Sequence, residues 1–374
     1  MATFNKEYEY IFHLLACVLK NEQPHEKPSD LSFEKIYMIA KKHTIENMLF
    51  YAIEKLHTKP EPELLKKWSE MRDKAIIRDF NQLHEFTVMS SKFEANKVRF
   101  LPLKGIYIKD MYPQRDMRSM SDIDILIDSK NAKKIREIML SSGYQPDMEG
   151  DDEHDAYMKK PHTYFEMHRK LFSQRGTNFN KLFSDPWKHA KEQEPYLWKF
   201  DLNWSFIYTF AHLAKHYLSS GTGIRSVMDI WVYINSYGNE LDFDYIYKQL
   251  DKSGTTELCK DIIKLSHIWF DGEPSSEKYD KMTEYIISCG VYGTKANATE
   301  HAYESMSKFR YVMYRLFPPF ARMRQSYPKL LTKAPFMLPF TWIHRAFKLL
   351  FFKRDSISWE IDLLKNHEQT NNKN

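Results

Sequence analysis

The spacing of apolar residues predicts helices through the first quarter of the chain. Apolar side chains recur at every third or fourth position in YEYIFHLLACVLK, in residues 33–56 and in residues 64–97, as expected when one face of a helix is buried. Ser32 comes just before the second of these stretches and has the side chain of a helix N-cap. We therefore predict an N-terminal helical region over residues 1–96.

The pattern changes between residues 97 and 175, where short strands alternate with a helix. Three runs have the length and the β-branched or aromatic content of strands. They are VRFLPL, DIDILI and HTYFEMHRKL. KNAKKIREIMLSSG has helical periodicity, and Gly143 at its end is typical of a helix terminus. This segment is predicted to be a small mixed-sheet core.

Helical periodicity returns over residues 176–300, so a helical domain is predicted to follow the core. Residues 301–374 differ again, because prolines interrupt a segment that is rich in basic and aromatic residues. Its polar end, NHEQTNNKN, predicts a disordered tail. The predicted fold class is therefore α+β, with a mixed-sheet core flanked by N- and C-terminal helical regions.

The composition is that of a soluble globular protein. Of the 374 residues, 43% are hydrophobic and 28% are charged. No window approaches the roughly 18 continuous apolar residues of a spanning helix, and the first residues lack the cleavage site of a signal peptide. Cys17, Cys259 and Cys289 are far apart and outside any metal-ligand spacing, which predicts buried thiols in a reducing compartment. We expect a cytoplasmic protein without an integral membrane segment.

The net charge of +5 is concentrated in one part of the chain. Residues 305–354, here called the basic aromatic segment, contain no Asp or Glu but eleven Lys or Arg among many aromatic side chains. This composition suits an anionic membrane surface or single-stranded RNA, and the amphipathic stretch RAFKLLFFKR favours peripheral membrane contact. The alternative is a helical region that packs its aromatic side chains on the core and leaves its basic ends in solvent.

Two aspartates lie in DIDILI, which otherwise has the composition of a buried strand. Because side chains alternate along a strand, Asp122 and Asp124 project to one face and the isoleucines to the other. Carboxylates at this spacing, about 7 Å, repel each other unless a cation lies between them. A pair of Mg²⁺ ions would resolve the repulsion, since Mg²⁺ prefers carboxylate and phosphate oxygens. The alternative is a solvated pair at the end of an edge strand.

Basic residues upstream of the aspartates favour the metal site. Lys104 and Gly105 lie where a strand gives way to a helix. A glycine there allows close approach of a phosphate, which helix amides and a lysine can bind. Arg118 precedes Asp122 by four residues, in a loop that can turn toward the same face. The three residues together predict a phosphate-binding region beside the carboxylates.

A third carboxylate follows on another predicted strand. Glu166 lies in HTYFEMHRKL, and Tyr164 and His168 share its face because of the two-residue period. A third carboxylate at such a site can bridge the metal and the incoming nucleophile, or act as a general base. The sequence thus predicts three acidic residues at one place in the fold.

In their order and combination, the motifs LPLKG, DIDILI and FEMH resemble the uncharacterised bacterial nucleotidyltransferases of the DNA polymerase β superfamily. The resemblance extends into the leading helical region and the block HLAKHYL…IRSVMDIWVYI, so it covers most of the chain. It implies that Asp122 and Asp124 are the metal-binding pair and that Glu166 is the third acidic position. The residues that it implies on the nucleotide side are Lys104, Gly105 and Arg118.

Two residue pairs at helical spacing lie in the block after the core. His212 and His216 are four residues apart in HLAKH, which lacks the glutamate of a zinc protease motif. Arg225 and Asp229 have the same spacing. Packing of the histidines and an intrahelical ion pair are the simplest interpretations, whereas the resemblance implies that these residues face the nucleotide.

The predicted activity is transfer of a nucleoside monophosphate from an NTP, expected to be ATP, to a hydroxyl of an unknown acceptor. Two Mg²⁺ or Mn²⁺ ions are the expected cofactors, held by Asp122, Asp124 and Glu166. One alternative is a non-catalytic protein that keeps the fold and serves as a binding or assembly partner at the membrane surface. Another is an RNA-directed nucleotidyltransferase that contacts RNA through the basic aromatic segment.

Overall fold

The computed structural model describes residues 6–148, 154–161, 163–172, 179–290, 299, 303 and 308–352. The chain divides into two units. The first contains Met1–Lys215 and Thr222–Val291, and the second contains His216–Gly221 and Tyr292–Asn374. The predicted tail, residues 366–374, lies outside the described residues, as do Lys353 and Arg354 at the end of the basic aromatic segment.

Helices form the N-terminal part of the first unit. They are α1 (Lys6–Lys20), α2 (Phe33–His43), α3 (Glu46–Ile53) and α4 (Pro62–Ala95). The Ser32 side-chain oxygen accepts a hydrogen bond from the Lys35 backbone N–H at 3.4 Å, which confirms the predicted N-cap. The helical stretch 33–56 is two helices, because Thr44 adopts a left-handed conformation with φ 50° and ends α2.

A seven-stranded mixed sheet forms the core of the first unit. The strands are β1 (Phe100–Pro102), β2 (Ile123–Ile127), β3 (Gln145–Met148), β4 (His154–Lys159), β5 (Thr163–His168), β6 (Ala190–Glu194) and β7 (Leu197–Phe200). Their order across the sheet is β3-β4-β5-β2-β1-β7-β6. β2 is parallel to β5 and antiparallel to β1, and β1 is parallel to β7. The predicted α+β class with a mixed sheet is confirmed.

The sheet is larger than the sequence predicted. β1, β2 and β5 match predicted strands, whereas β3, β4, β6 and β7 do not appear in the prediction. β6 lies at one edge of the sheet, and four of its five side chains are exposed. An exposed edge strand lacks the alternating apolar signal that identifies strands in a sequence. The sheet therefore continues beyond residue 175 to Phe200, where only helices were predicted.

One face of the sheet is covered by α4 and by α6 (Ala132–Ser141). α6 ends near Gly143, as predicted, and Gly143 has a φ of 84° that favours glycine. The buried cluster under these helices includes every isoleucine of β2, together with Phe165 and Met167 of β5. Because side chains alternate, the polar residues of β2 and β5 lie on the opposite face.

The other α-helices in the described part of the chain follow in order. Those up to residue 290 are α5 (Lys104–Ile108), α7 (Phe179–Leu182), α8 (Leu202–Tyr217), α9 (Ile224–Tyr237), α10 (Phe243–Asp251), α11 (Thr256–Asp271) and α12 (Glu277–Cys289). The described part of the second unit contains α13 (Lys308–Leu316), α14 (Phe320–Ser326), α15 (Pro328–Lys333) and α16 (Leu338–Phe352). No helix in the described ranges is both long enough and apolar enough to cross a membrane. The three cysteines are buried free thiols, as predicted.

Candidate active site

Three carboxylates converge on the polar face of β2 and β5. Asp124 of β2 is the register partner of Glu166 of β5, and Asp122 comes directly before β2. Ligand oxygens of these three side chains all lie within 4.8 Å of one another. We call Asp122, Asp124 and Glu166 the acidic centre. The isoleucines on the far side of β2 anchor the strand, so the sheet itself holds two of the carboxylates in register.

Two cations contact the acidic centre, and both contact Asp124. His168 Nε2 lies 2.9 Å from Asp124 Oδ1 and 3.4 Å from Glu166 Oε2. Lys104 Nζ lies 3.6 Å from Asp124 Oδ2. Asp122 accepts a hydrogen bond from the hydroxyl of its neighbour Ser121 at 2.9 Å. Positive charge is thus concentrated on one member of the centre.

The pKa values of the centre reflect this unequal arrangement. Burial raises the pKa of Asp122 to about 6, and the charges of Asp124 and Glu166 add to the effect. Burial would also raise the pKa of Asp124, but Lys104 and His168 outweigh it and hold that pKa below its usual range. Burial lowers the pKa of His168, yet hydrogen bonds to Asp124 and Glu166 raise it to about 9 overall. The fold therefore keeps the three carboxylates close together although their negative charges repel one another.

The donor set suits hard divalent cations. All three side chains of the acidic centre offer carboxylate oxygens, which are the ligands that Mg²⁺ prefers and that Mn²⁺ accepts. A divalent cation would also relieve the repulsion that raises the pKa of Asp122. The residues present therefore fit the metal ions that the sequence predicted.

Lys104 is partly buried beside the carboxylates and contacts α8 of the helical block. Its Nζ lies 2.7 Å from His212 Nε2, so α5 and α8 bring these two predicted residues together. Burial lowers the pKa of Lys104, and the nearby Arg118 and Arg225 add to the effect, whereas Asp124 and Asp122 oppose it. His216 lies one turn beyond His212 in α8, and its stretch, His216–Gly221, belongs to the second unit.

Arg118 and Asp229 form a buried ion pair between the loop before β2 and α9. Arg118 Nε donates to Asp229 Oδ1 and its Nη2 donates to Oδ2, each at 2.8 Å. The Tyr112 hydroxyl donates to the same Oδ1 at 2.8 Å. Both carboxylate oxygens of Asp229 therefore bond to Arg118, a partner that the sequence did not predict. Arg225 donates to the backbone oxygen of Ser119 at 2.7 Å, which ties α9 to the same loop.

Gly105 lies in close contact with the loop before β2. A Cβ built on Gly105 would overlap Met120 Sδ and lie 3.3 Å from Met120 Cγ. It would also lie 3.6 Å from Nη1 of Arg118. The predicted role of Gly105 was to let a phosphate approach the backbone. The structure adds a second reason for glycine, because the loop before β2 packs directly against α5.

Two further side chains lie at the acidic centre, and neither was predicted from the sequence. Burial raises the pKa of Tyr208 well above its usual value, with contributions from Asp124 and Glu166. Tyr208 comes four residues before His212 in α8, and this helical spacing was the signal that could have revealed it. His154 Nε2 lies 4.0 Å from Glu166 Oε2. It lies on β4. Because β4 was not predicted as a strand, the position of His154 beside Glu166 was not predicted either.

Residues 29–271 match the family described as uncharacterised nucleotidyltransferases. The chain belongs to this family. The matched range contains the acidic centre and the residues around Lys104 and Arg118, and it ends before the basic aromatic segment. Membership in this nucleotidyltransferase family supports nucleotidyl transfer as the general activity. No curated protein and no solved structure matches the chain.

Proposed function

We propose that this nucleotidyltransferase moves a nucleoside monophosphate from an NTP, with ATP as the first candidate, to a hydroxyl of an acceptor. The observation that carries the proposal is the acidic centre itself, where three carboxylates share one face of paired strands. Burying like charges together costs folding free energy unless a cationic ligand offsets it. A metal-bound triphosphate is the ligand that the family match favours.

The acidic centre would hold Mg²⁺ or Mn²⁺ through Asp122, Asp124 and Glu166. When bound, the ions neutralise triphosphate charge and polarise the α-phosphate. Lys104 contributes a partly buried ammonium next to Asp124, in position to attract a phosphate oxygen. His212 contacts Lys104 and would fix its direction.

Arg118 and Arg225 would act on the nucleotide in different ways. The Arg118 guanidinium is buried and bonded to Asp229, so its contribution is a fixed positive potential and a rigid loop. Arg225 ties α9 to the same loop through Ser119, which keeps a second guanidinium close to Lys104. We include Gly105 and His216 among the proposed nucleotide-side residues.

In the proposed reaction an acceptor oxygen forms a bond to the α-phosphorus. The bond between that phosphorus and the oxygen leading to the β-phosphate breaks, and pyrophosphate leaves with the bonding electrons. The acceptor proton passes to the Glu166 carboxylate or to water that Glu166 orients. Positioning and charge neutralisation supply most of the rate enhancement in reactions of this type.

The test is a transfer assay with one labelled NTP at a time. The full chain is incubated with α-labelled nucleotide, Mg²⁺ or Mn²⁺, and cell extract, and label is then sought in protein, RNA and small-molecule fractions. We expect Asp124→Asn to reduce transfer about 10²- to 10³-fold, because it removes a carboxylate at the reacting phosphate. Asp128→Asn is the matched control, since Asp128 follows β2 but pairs with Arg99.

Two results would contradict the proposal. Asp124→Asn could transfer label as fast as the wild type, or no fraction could take up label with any nucleotide. Calorimetry then separates the alternatives: Mg²⁺-dependent nucleotide binding without transfer would indicate a binding protein that keeps the fold. Label found only in RNA would favour the RNA-directed enzyme.

We further propose that the second unit contacts an anionic membrane surface. Within α16, Phe340, Ile343 and Phe347 are each about 60% exposed, and their spacing places them on one helix face. Trp342, in contrast, donates its indole N–H to the Pro318 backbone oxygen, so its ring edge faces the unit. Lys348 is exposed on the same helix. Apolar side chains beside cations match the interface of anionic lipid.

Lipid suits this face better than RNA does. RNA bases stack on aromatic rings but gain little from aliphatic side chains. Here Val312, Leu316 and Ile343 are exposed together with the phenylalanines. The lack of any Asp or Glu over residues 305–354 supplies the charge complementarity to anionic headgroups.

Vesicle sedimentation tests the membrane contact. The full chain should bind phosphatidylserine-containing vesicles and bind pure phosphatidylcholine vesicles far more weakly. Replacing both Phe340 and Phe347 by Ser should weaken binding at least about tenfold, because each ring buries apolar area in the membrane. Phe80→Ser is the matched control, since Phe80 is 70% exposed on α4. Equal binding by the double variant, or salt-sensitive binding of single-stranded RNA in place of vesicles, would overturn the proposal.

A further inference from the structure

A second group of metal-ligating side chains adjoins the acidic centre. It consists of His154 on β4 with Glu166 and His168 on β5, and its three ligand atoms all lie within 4.8 Å of one another. The β4–β5 hairpin makes His154 the register partner of His168. Their ring centroids are 5.2 Å apart with an interplanar angle of 33°. The hairpin therefore presents two imidazoles and a carboxylate on one face.

We propose that His154, Glu166 and His168 form a binding site for a divalent transition-metal ion of the Zn²⁺ type, adjoining the acidic centre. We call this the imidazole site. It concerns metal binding alone and does not depend on the proposed transfer reaction. Glu166 belongs to both groups, so ions bound at the two places would share that carboxylate.

The spacing of the donor atoms suits such an ion. Zn²⁺ bonds to nitrogen and oxygen at about 2.0–2.1 Å in tetrahedral geometry, which places neighbouring ligand atoms about 3.4 Å apart. His168 Nε2 lies 3.4 Å from Glu166 Oε2. His154 Nε2 lies 4.0 Å from the same oxygen, so a small side-chain rotation would complete the arrangement. A tetrahedral ion would keep one position for water or substrate.

The chemistry of the donors separates the two sites. Imidazole nitrogen suits Zn²⁺ and related transition metals, whereas Mg²⁺ prefers oxygen ligands and retains water. The acidic centre offers oxygen alone, and the imidazole site offers two nitrogens and one oxygen. The two groups of ligands, which overlap at Glu166, thus favour different ions. The competing explanation is that the histidines serve only as counter-charges for the carboxylates.

Cobalt substitution provides a direct test on the full chain without nucleotide. Co²⁺ added to metal-free protein should produce a visible d–d band that saturates at one equivalent. Zn²⁺ should remove the band, and excess Mg²⁺ should leave it in place. His154→Gln should weaken Co²⁺ binding at least about tenfold, as expected for loss of a ligand. His57→Gln is the control, because the His57 side chain is 90% exposed and distant in sequence.

Three outcomes would overturn the imidazole site. His154→Gln could bind Co²⁺ as the wild type does, Mg²⁺ could displace Co²⁺ at equal concentration, or no saturable band could form. Pulsed EPR of the wild type with one equivalent of Cu²⁺ gives an independent check that needs no variant. Two imidazole nitrogen couplings are expected, and their absence would count against the site.

The experiment also distinguishes this inference from the proposed function. Asp122→Asn removes a ligand of the acidic centre alone, so it should abolish transfer while the Co²⁺ band remains. A chain that binds Co²⁺ but never transfers label would overturn nucleotidyl transfer and leave the imidazole site standing. Transfer without any Co²⁺ band in the wild type would do the reverse.

Discussion

Two buried charged regions of the first unit differ in how their charges are matched. One is the Lys109 cluster, which consists of Lys109, Asp79, Gln82 and Arg115. Lys109 is 2% exposed, and its Nζ lies 2.7 Å from Asp79 Oδ1 and 3.2 Å from Gln82 Oε1. Arg115 Nε lies 3.3 Å from Asp79 Oδ2. Both oxygens of the Asp79 carboxylate thus have a cationic partner.

The acidic centre has the opposite balance. Its carboxylates share two cations, and both of these contact Asp124. Burial raises the pKa of Asp122 and the like charges of Asp124 and Glu166 add to the effect, so its ionised form is unfavourable in the folded protein. Matched charges such as those of the Lys109 cluster join elements of the fold. The unmatched charges of the acidic centre, which the fold retains at a cost, are those that the proposed metal ions would neutralise.

The largest expected effect comes from breaking the matched region. Lys109→Met should lower the free energy of unfolding by about 3–5 kcal/mol, because it leaves a buried carboxylate with an incomplete set of partners. Urea denaturation followed by circular dichroism measures this change. Lys67→Met is the control, since Lys67 lies on α4 and forms an exposed pair with Glu63; it should change stability by less than about 0.5 kcal/mol. Equal losses of stability in the two variants would show that the Lys109 pair contributes no more than an exposed ion pair.

His43 is a buried group that stays neutral, and its burial makes the stability of the protein depend on pH. Its ring is fully buried, its Nε2 lies 3.3 Å from the Ile287 backbone oxygen, and burial lowers its pKa from 6.5 to about 4, with a contribution from Lys42. The unfolded chain binds a proton below pH 6.5 that the folded chain binds only near pH 4. His43 therefore gives its full contribution above pH 6.5, and that contribution falls as the pH drops toward 4.

The pH dependence gives the second prediction. Between pH 6.5 and pH 4 the wild type should lose up to about 3 kcal/mol of stability through this group. His43→Gln should flatten that part of the curve, whereas the exposed His57→Gln should not. Urea denaturation at several pH values checks both. A curve for His43→Gln that is as steep as the wild-type curve would contradict the assignment.

Asp122→Asn should stabilise the folded protein, whereas Lys109→Met should destabilise it. In metal-free protein at pH 8 it should raise the free energy of unfolding by about 1–2 kcal/mol, since it removes a carboxylate that its neighbours repel. Thermal denaturation in EDTA measures the gain. A loss of stability in EDTA would mean that the carboxylate is matched after all, and the contrast between the two regions would fail.

The smallest expected effect concerns packing without charge. Gly105→Ala should cost about 1 kcal/mol, because the new methyl displaces the buried Met120 side chain, which is flexible enough to adjust. Gly238→Ala is the matched control, since its Cβ would meet only the Ile234 Cγ2 at 3.3 Å. Differential scanning calorimetry of the two variants tests the difference. If Gly105→Ala changes stability no more than Gly238→Ala does, the loop before β2 adjusts to the added methyl without a measurable cost.

The sequence predicted the residues that follow a strict local pattern. The alternation of Asp and Ile identified β2 and the face on which both aspartates lie. The same two-residue period placed Glu166 and His168 together on β5. Both strands lie in the middle of the sheet, where burial of one face makes the pattern strong. The three carboxylates of the centre were therefore expected together.

Features that depend on tertiary contacts were not predictable in this way. The carboxylate of Asp229 pairs with Arg118, which is 111 residues away in the sequence. Such a partner depends on the tertiary fold, so helical spacing alone does not identify it. His154 was not predicted as a site residue because β4 mixes charged and apolar side chains. The alternation of polar and apolar positions along this strand is therefore weak. The break at Thr44 depends on one left-handed residue that lies within a helical pattern.

The pairing of Asp124 with Glu166 has a consequence for how this chain can change over evolution. An insertion or deletion of one residue within β2 or β5 would exchange every inward and outward side chain beyond it. Isoleucine would then replace aspartate at the centre, and an acid would enter the core. Between the two strands, β3 and β4 carry the same constraint, because β3 pairs with β4 and β4 pairs with β5. Relatives should therefore differ in length only outside these strands, while the strands keep their residue count.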